Sequence, residues 1–321
     1  SLDSMVNISV CANKNEIFYL DVEANRISIK DTEKYIKKAI KYCETINKEL
    51  EKIPSKNKRK VVNGDLKYVK NEIINNDFSV DLKSKFNVSY DVIRKSISAK
   101  LCNENKRIDT RNLNEIREIN VEKGPVNKVN STIFSRGETT VLGLINYTSD
   151  KINIGDVVRE EHNITSVYNF HGFCVGSMVE KRGNKRELGH ANLIKSAFQK
   201  LIKNNINLRT YAEVLSSNGS SSMASVCAIS VAGYLGGIFD ELIAGISLGV
   251  FREKNKDLII VDMNAIEDQY SEMDWKVCGN GEWISSIRVD TKSYILVKSL
   301  GLILEQSSIS LKELVKKNKI I

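Results

Sequence analysis

From residue 106 to the C-terminus, short β-prone runs and helical stretches follow one another irregularly, and this order constrains the fold more than any other feature. The runs EIREINV, NSTIFSR, TTVLGLINY and SVYNF come in succession before a helical pattern returns over residues 188–203. RTYAEVL then reads as a strand, residues 221–235 as a helix, and ISLGVF, DLIIVDM and WISSIRV as further strands. A doubly wound parallel sheet needs a regular βαβ rhythm, so this order predicts an α+β domain instead. A chain of 321 residues, 41% of them hydrophobic, can bury the core such a domain requires.

The first third has a different texture. Residues 5–22 show two β-prone runs around the turn-like NKN, which predicts a hairpin or the last two strands of a sheet whose front half is absent. From Asp31, read as an N-cap, the apolar positions Ile36, Ala39, Ile40, Cys43, Ile46, Leu50 and Ile53 recur at helical spacing until Pro54. The run PSKNKRKVVNGD, residues 54–65, reads as an exposed linker, followed by shorter helical stretches near 66–76 and 88–103. No internal repeat and no low-complexity tract is read. Ser1 opens the chain almost directly on strand-like residues, as expected for an interior piece of a longer chain.

The formal net charge of +8 and a pI near 9.0 favour a polyanionic partner such as nucleic acid, although a Lys-, Asn- and Ile-rich composition can also produce a merely solvated basic surface. Cys11, Cys43, Cys102, Cys174, Cys227 and Cys278 form no CxxC pair and sit mostly among apolar residues, which predicts buried free thiols in a reducing cytoplasm. The three histidines do not pair with a cysteine cluster, so no structural zinc site is expected. No apolar run reaches the roughly 18 residues that span a bilayer, and no membrane partner is expected.

Three stretches have the composition of a site. In SSNGSSSMASVCAISVAGYL, residues 216–235, serines and a glycine precede an apolar helix. Free N–H groups, the positive end of the helix dipole and Ser hydroxyls suit an anion, the alternative being a simple capping loop. In GNKRELGHANLIKSAF, residues 183–198, Lys185, Arg186 and His190 gather at a helix entry, where they can clamp a phosphodiester or form a solvated basic face. In IEDQYSEMDWK, residues 266–276, Asp274 and Lys276 share one face of an extended chain, and Asp268 can fold back across a turn. Two carboxylates sharing a site repel one another, and Mg²⁺ relieves that while leaving room for substrate phosphates. The alternative is an acidic surface loop with a strand-edge Asp274–Lys276 ion pair. Glu267 and Glu272 are read as peripheral.

The segments FSRGETT (134–140), YNF (168–170), KRELGH (185–190), SNGSSSMASVC (218–227), AGISLG (244–249) and MDWKVCG (273–279) resemble the second RNase PH-type core of the polynucleotide phosphorylase family. The resemblance covers nearly the whole chain. It implies an RNase PH-like core of the ribosomal protein S5 domain 2-like fold over residues 106–321, an all-helical linker domain over 31–105, and the C-terminal tail of a first RNase PH-type core over 1–30. The implied activity is that of a polyribonucleotide nucleotidyltransferase, a phosphorolytic 3′→5′ exoribonuclease in RNA degradation. Inorganic phosphate attacks the terminal phosphodiester of a single-stranded RNA 3′ end and releases a nucleoside diphosphate.

The resemblance also assigns residues. Asp268, Asp274 and Lys276 fall on the catalytic positions, and Asp268 and Asp274 on those that hold Mg²⁺, or Mn²⁺ in its place. Ser220, Ser221 and Ser222 fall on the phosphate loop, and Lys185, Arg186, His190 and Arg136 on RNA and substrate contacts. A homotrimer is implied for the full-length protein. Lys185 stands where the family usually has Arg, Ile266 where a further carboxylate is common, and HGFCVGS (171–177) replaces a proline-containing run. Two rival readings are a catalytically silent RNase PH-like scaffold that binds RNA or partner subunits, and a hydrolytic relative.

Overall fold

The computed structural model describes residues 5–52, 90–126, 130–148, 164–177, 185–202, 206–253 and 256–320. The linker expected over 54–65 and the helical stretch near 66–76 lie outside the described residues.

The expected hairpin is present as β1 (Val6–Ala12) and β2 (Glu16–Ser28). Its turn is held by Asn13, whose Oδ1 accepts from the N–H groups of Asn15 (2.9 Å) and Glu16 (2.8 Å). Helix α1 (Ile29–Leu50) follows without a break. Its N-cap is Ser28, not Asp31. The Ser28 hydroxyl accepts from the Asp31 N–H at 3.1 Å, and Asp31 lies in the first turn, where its negative charge complements the helix dipole. Ile36 and Ile40 are buried, whereas Ile46 and Leu50 are exposed, so the apolar periodicity outruns the surface that α1 covers.

Strands β3 (Ile119–Lys123), β4 (Ser131–Arg136), β5 (Thr139–Thr148), β6 (Ile164–Asn169) and β7 (Asn207–Ser216) form one sheet in the order β3-β4-β5-β7-β6. Its neighbours are antiparallel except β6 and β7. Strands β8 (Ala244–Glu253), β9 (Lys256–Val261), β10 (Met273–Gly279) and β11 (Trp283–Thr291) form a second sheet with the hairpin, in the order β1-β2-β11-β10-β8-β9. The short β12 (Ile295–Leu296) pairs with β2. This mixture is the α+β class expected. The N-terminal strands are not detached: β2 pairs antiparallel with β11, with Ser28 opposite Trp283 and Leu20 opposite Val289.

Two hairpins of this sheet repeat a short sequence pattern. VCANKNEI (10–17) and VCGNGEWI (277–284) share one pairing pattern: the register slips after Cys11 in one hairpin and after Cys278 in the other. Asn280 caps its turn as Asn13 does, accepting from Glu282 N–H at 2.9 Å and Trp283 N–H at 3.1 Å. Each hairpin leads on to a long helix, α1 in the first case and α6 (Leu300–Ile320) in the second, and the two helices touch.

Between the sheets lies α4 (Ser221–Leu235), buried from Ser221 to Gly233. Gly143 of β5 backs onto it so closely that a Cβ there would stand 2.8 Å from Ala228, and on the other side Gly245 of β8 donates its N–H to Cys227 Sγ at 3.4 Å. An apolar helix without a polar face is what a site between two sheets requires. Helix α3 (Lys185–Phe198) packs on β6, β11 and α4, and its Ser196 donates to Glu23 of β2 at 2.8 Å. Leu20, Val22 and Ala24 face the reverse side of that sheet, where α1 and α6 pack.

Helix α2 (Tyr90–Glu104) sets Ile97 and Leu101 against Phe251, Ile260, Met263 and Tyr270, so the described part of the helical segment docks directly on the core. Cys174, Cys227 and Cys278 are buried free thiols as expected, but Cys11 is exposed. Among the described residues no helix is long and apolar enough to cross a membrane.

Candidate functional site

The acidic stretch does not form a turn. Asn264 and Glu267 make a capping box: Asn264 Oδ1 accepts from Glu267 N–H at 2.9 Å, and Glu267 accepts from Asn264 N–H at 3.0 Å. They start the short helix α5 (Ala265–Tyr270), which carries Asp268 and ends just before β10. β10 lies between β8 and β11, so the strand-edge alternative for Asp274 and Lys276 fails. Both residues are 8% exposed.

Lys276 Nζ lies 2.6 Å from Asp274 Oδ2 and 2.9 Å from Asp290 Oδ2. Burial opposes its charge, but the two carboxylates outweigh burial and hold the ammonium protonated. The other Asp274 oxygen, Oδ1, is buried and has no hydrogen-bond partner among the described residues. Asp268 is nearby: burial first and the Asp274 charge second push its carboxyl above the usual range. Lys292 Nζ donates to the Asp268 backbone oxygen and lies 3.9 Å from its carboxylate. No group of three or more His, Cys, Asp and Glu side chains suited to a metal occurs among the described residues. The donor set is therefore two carboxylates, one with an orphaned oxygen. That fits Mg²⁺, which is content with one or two carboxylates and completes its shell with water and substrate phosphate.

The serine loop is built from below. Arg117 donates to the carbonyls of Asn218 (2.7 Å) and Gly219 (3.2 Å), Thr139 to that of Gly219 (2.9 Å) and Arg136 to that of Ser220 (3.2 Å). Three successive carbonyls are thereby tied down by these donors, and the first N–H groups of α4 have no acceptor within the helix. Ser220, the N-cap, adopts a left-handed φ of 57° and makes no side-chain cap, and its Oγ is buried without a partner among the described residues. The loop also touches α5, because Asn218 Oδ1 accepts from Ala265 N–H at 3.2 Å. Uncapped donors at a helix start are an anion site.

The two halves are bridged by Tyr168 and His190. Tyr168 and Ser221 share a hydrogen bond at 2.8 Å, and burial drives the Tyr168 phenol upward, so it stays neutral. His190 stands edge-on to Tyr168, with ring centroids 4.8 Å apart. Burial, then the charges of Lys276 and Arg186, push its pKa down to about 3, so its imidazole is neutral at pH 7. Lys185 and Arg186 are exposed on the first turn of α3, and the Arg186 guanidinium lies 4.7 Å over the Phe170 ring. A guanidinium on an aromatic face presents both charge and a stacking plane.

Contacts and charge interactions run from Ser221 through Tyr168, His190 and Lys276 to Asp274 and Asp268, with Ser220 and Ser222 next to Ser221 in the chain and Arg186 and Lys185 exposed on the first turn of α3. Arg136 is different. It has no exposed surface, and its guanidinium meets Asp262 at 2.9 Å. It supports the loop from below and cannot face RNA. Glu267 and Glu272, read as peripheral, are buried: Arg107 clamps Glu267 through two nitrogens, and Arg94 lies 3.1 Å from Glu272.

Asp262, Arg117 and Tyr168, to which the sequence assigns no role, hold the site together. Asp262 receives Arg136, Arg117 at 2.8 Å and Arg111 at 3.3 Å. Burial resists its ionisation, but Arg136 and Arg117 outweigh burial and hold the carboxyl far below the usual range. Arg117 joins Asp262 to the serine loop, and Tyr168 joins the loop to His190. A carboxylate closing the apolar run LIIVD and an arginine within the β-prone EIREINV were the available signals.

Residues 115–238 match the RNase PH family, described as 3′ exoribonuclease family, domain 1. The chain is 35% identical over 240 residues to a polyribonucleotide nucleotidyltransferase of Campylobacter jejuni, covering 71% of this chain and 33% of that protein. It is 36% identical over 226 residues to one from Helicobacter pylori, covering 67% and 32%. The chain therefore spans about a third of the length of these relatives. A crystal structure of rice (Oryza sativa) Rrp46 superposes with a TM-score of 0.53 at 17% identity, covering 66% of this chain and 98% of that one, which supports the fold alone.

Proposed function

We propose, from the premise that this chain carries an RNase PH-type core like that of the polyribonucleotide nucleotidyltransferases, that it supplies the phosphorolytic site of a 3′→5′ exoribonuclease. The observation that carries the reading is the bridge from the uncapped start of α4 through Ser221, Tyr168 and His190 to Lys276 and Asp274. One end of that bridge suits a free phosphate and the other a phosphodiester.

Inorganic phosphate docks on the N–H groups at the start of α4 with Ser220, Ser221 and Ser222 around it. One of its oxygens attacks the terminal phosphorus of RNA, the bond to the 3′ oxygen breaks, and a nucleoside diphosphate leaves while the 3′ oxygen takes up a proton. Lys276 stays cationic and offsets charge on the phosphoryl group, in fixed geometry between Asp274 and Asp290. Neutral His190 positions and hydrogen-bonds rather than delivering a proton as an imidazolium. Arg186 over Phe170, with Lys185 beside it, holds the RNA end. Mg²⁺ or Mn²⁺ on Asp268 and Asp274 would supply charge neutralisation at the phosphoryl oxygens. Positioning and electrostatics suffice for this chemistry without a covalent intermediate.

The same proposal takes residues 1–30 as the tail of a first RNase PH-type core, 31–105 as the helical linker domain and 106–321 as the second core. The repeated hairpin supports a duplicated core. It also takes the full-length protein as a cytoplasmic homotrimer acting in RNA degradation. The test is phosphate-dependent release of ADP from poly(A) with Mg²⁺, for wild type, Asp274→Asn and Ser221→Ala. Each substitution is expected to cut the rate at least about a hundredfold. Equal rates in all three would remove the assigned site.

A further inference from the structure

On the side of the sheet opposite the acid pair, α1 carries Lys30, Lys34, Lys37, Lys38 and Lys41 along one exposed face, and these lysines line a shallow groove together with Glu33. At about 1.5 Å per residue the lysines cover about 16 Å of helix. Among the described residues the one anion lining the groove is Glu33, and Lys37 takes it up at 2.6 Å. This arrangement works against the helix that bears it. Lys30 with Lys34, Lys34 with Lys38 and Lys37 with Lys41 are like charges four residues apart, and Lys30 stands in the first turn, at the positive end of the helix dipole.

Beside the stripe, between it and the buried face of Ile36 and Ile40, Tyr35 and Tyr42 emerge seven residues apart, so they share a helix face. Tyr42 is 62% exposed. Lysines that track a phosphate backbone, flanked by exposed aromatic rings on which bases stack, are the two components of sequence-tolerant single-strand binding. We infer that this face of α1 is a second contact surface for single-stranded RNA, on the reverse of the sheet that bears the phosphorolytic site. The surface shares only its RNA ligand with the proposed function and does not depend on the chemistry.

The test is fluorescence anisotropy of the whole chain with a labelled single-stranded oligo(A) across a salt series. The variant Lys34→Glu/Lys38→Glu/Lys41→Glu is expected to bind about tenfold or more weakly, with the salt slope reduced by about 2. Lys34→Arg/Lys38→Arg/Lys41→Arg keeps the charge and is expected to bind as wild type. Tyr35→Ala/Tyr42→Ala is expected to weaken binding about fivefold with the slope unchanged. Wild-type affinity in the glutamate variant, or a loss that the arginine variant shares, overturns the inference, and wild-type affinity in the tyrosine variant overturns its assignment to a single strand. Because binding alone is read, a chain that binds RNA through α1 yet releases no nucleoside diphosphate refutes the phosphorolytic reading and leaves this one standing.

Discussion

The hydroxyls of Tyr168 and Ser221 lie 2.8 Å apart, joining the end of β6 to the first residue of α4. Removing one of them leaves the other buried without that partner. Tyr168→Phe is therefore expected to cost about 1 kcal/mol of stability. In the phosphorolysis assay it should raise the KM for phosphate several-fold with little change in the KM for RNA. Urea denaturation and phosphate titration check the two parts separately.

Asp262 is the charge on which Arg136, Arg117 and Arg111 converge. Asp262→Asn would leave Arg136, which has no exposed surface, uncompensated. Breaking a buried pair from one side costs about 3–5 kcal/mol, so a large fall in the denaturation midpoint is expected. A loss under about 1 kcal/mol would show that the hub is not what holds the loop.

His190 gives a pH signature. Its native pKa of about 3 lies below the ordinary 6.5, so on acidification the unfolded chain takes up a proton that the native state refuses. The stability from neutral His190 is full above pH 6.5 and is lost progressively as pH falls toward 3. His190→Gln is expected to flatten the fall in stability as pH drops from 6.5 toward 3, measured by denaturation at each pH. A slope equal to that of wild type would place the titration elsewhere.

Gly219 has a φ of 94°, and a Cβ there would meet the Asn264 carbonyl carbon at 2.6 Å. Gly219→Ala would both strain the loop and push it away from α5. A folded protein with phosphorolysis reduced more than about tenfold is expected, because misplacement of about 1 Å is enough to cost that much.

Much of this was legible in the sequence because it is local. DLIIVDM, ISLGVF and WISSIRV advertise strands, and the long run SNGSSSMASVC marks a helix start suited to an anion. What was not legible is long-range or short. The pairing of β2 with β11 joins residues far apart in the chain, and no periodicity encodes it. Helix α5 has only six residues, too few for an apolar period, although its Asn264-to-Glu267 capping box was readable. Arg136 could not be told from an RNA-facing arginine without its partner Asp262. The two hairpins share Val, Cys, Asn and Ile at matching positions, too sparse a repeat until both Asn side chains are seen capping their turns in the same way.

The most direct test of the central claim is the identity of the nucleotide that the wild-type chain releases from poly(A) with Mg²⁺, with and without inorganic phosphate. A single site in which the start of α4 presents phosphate to a phosphodiester near Asp274 and Lys276 predicts ADP, formed only when phosphate is supplied. AMP, or release that ignores phosphate, would contradict it.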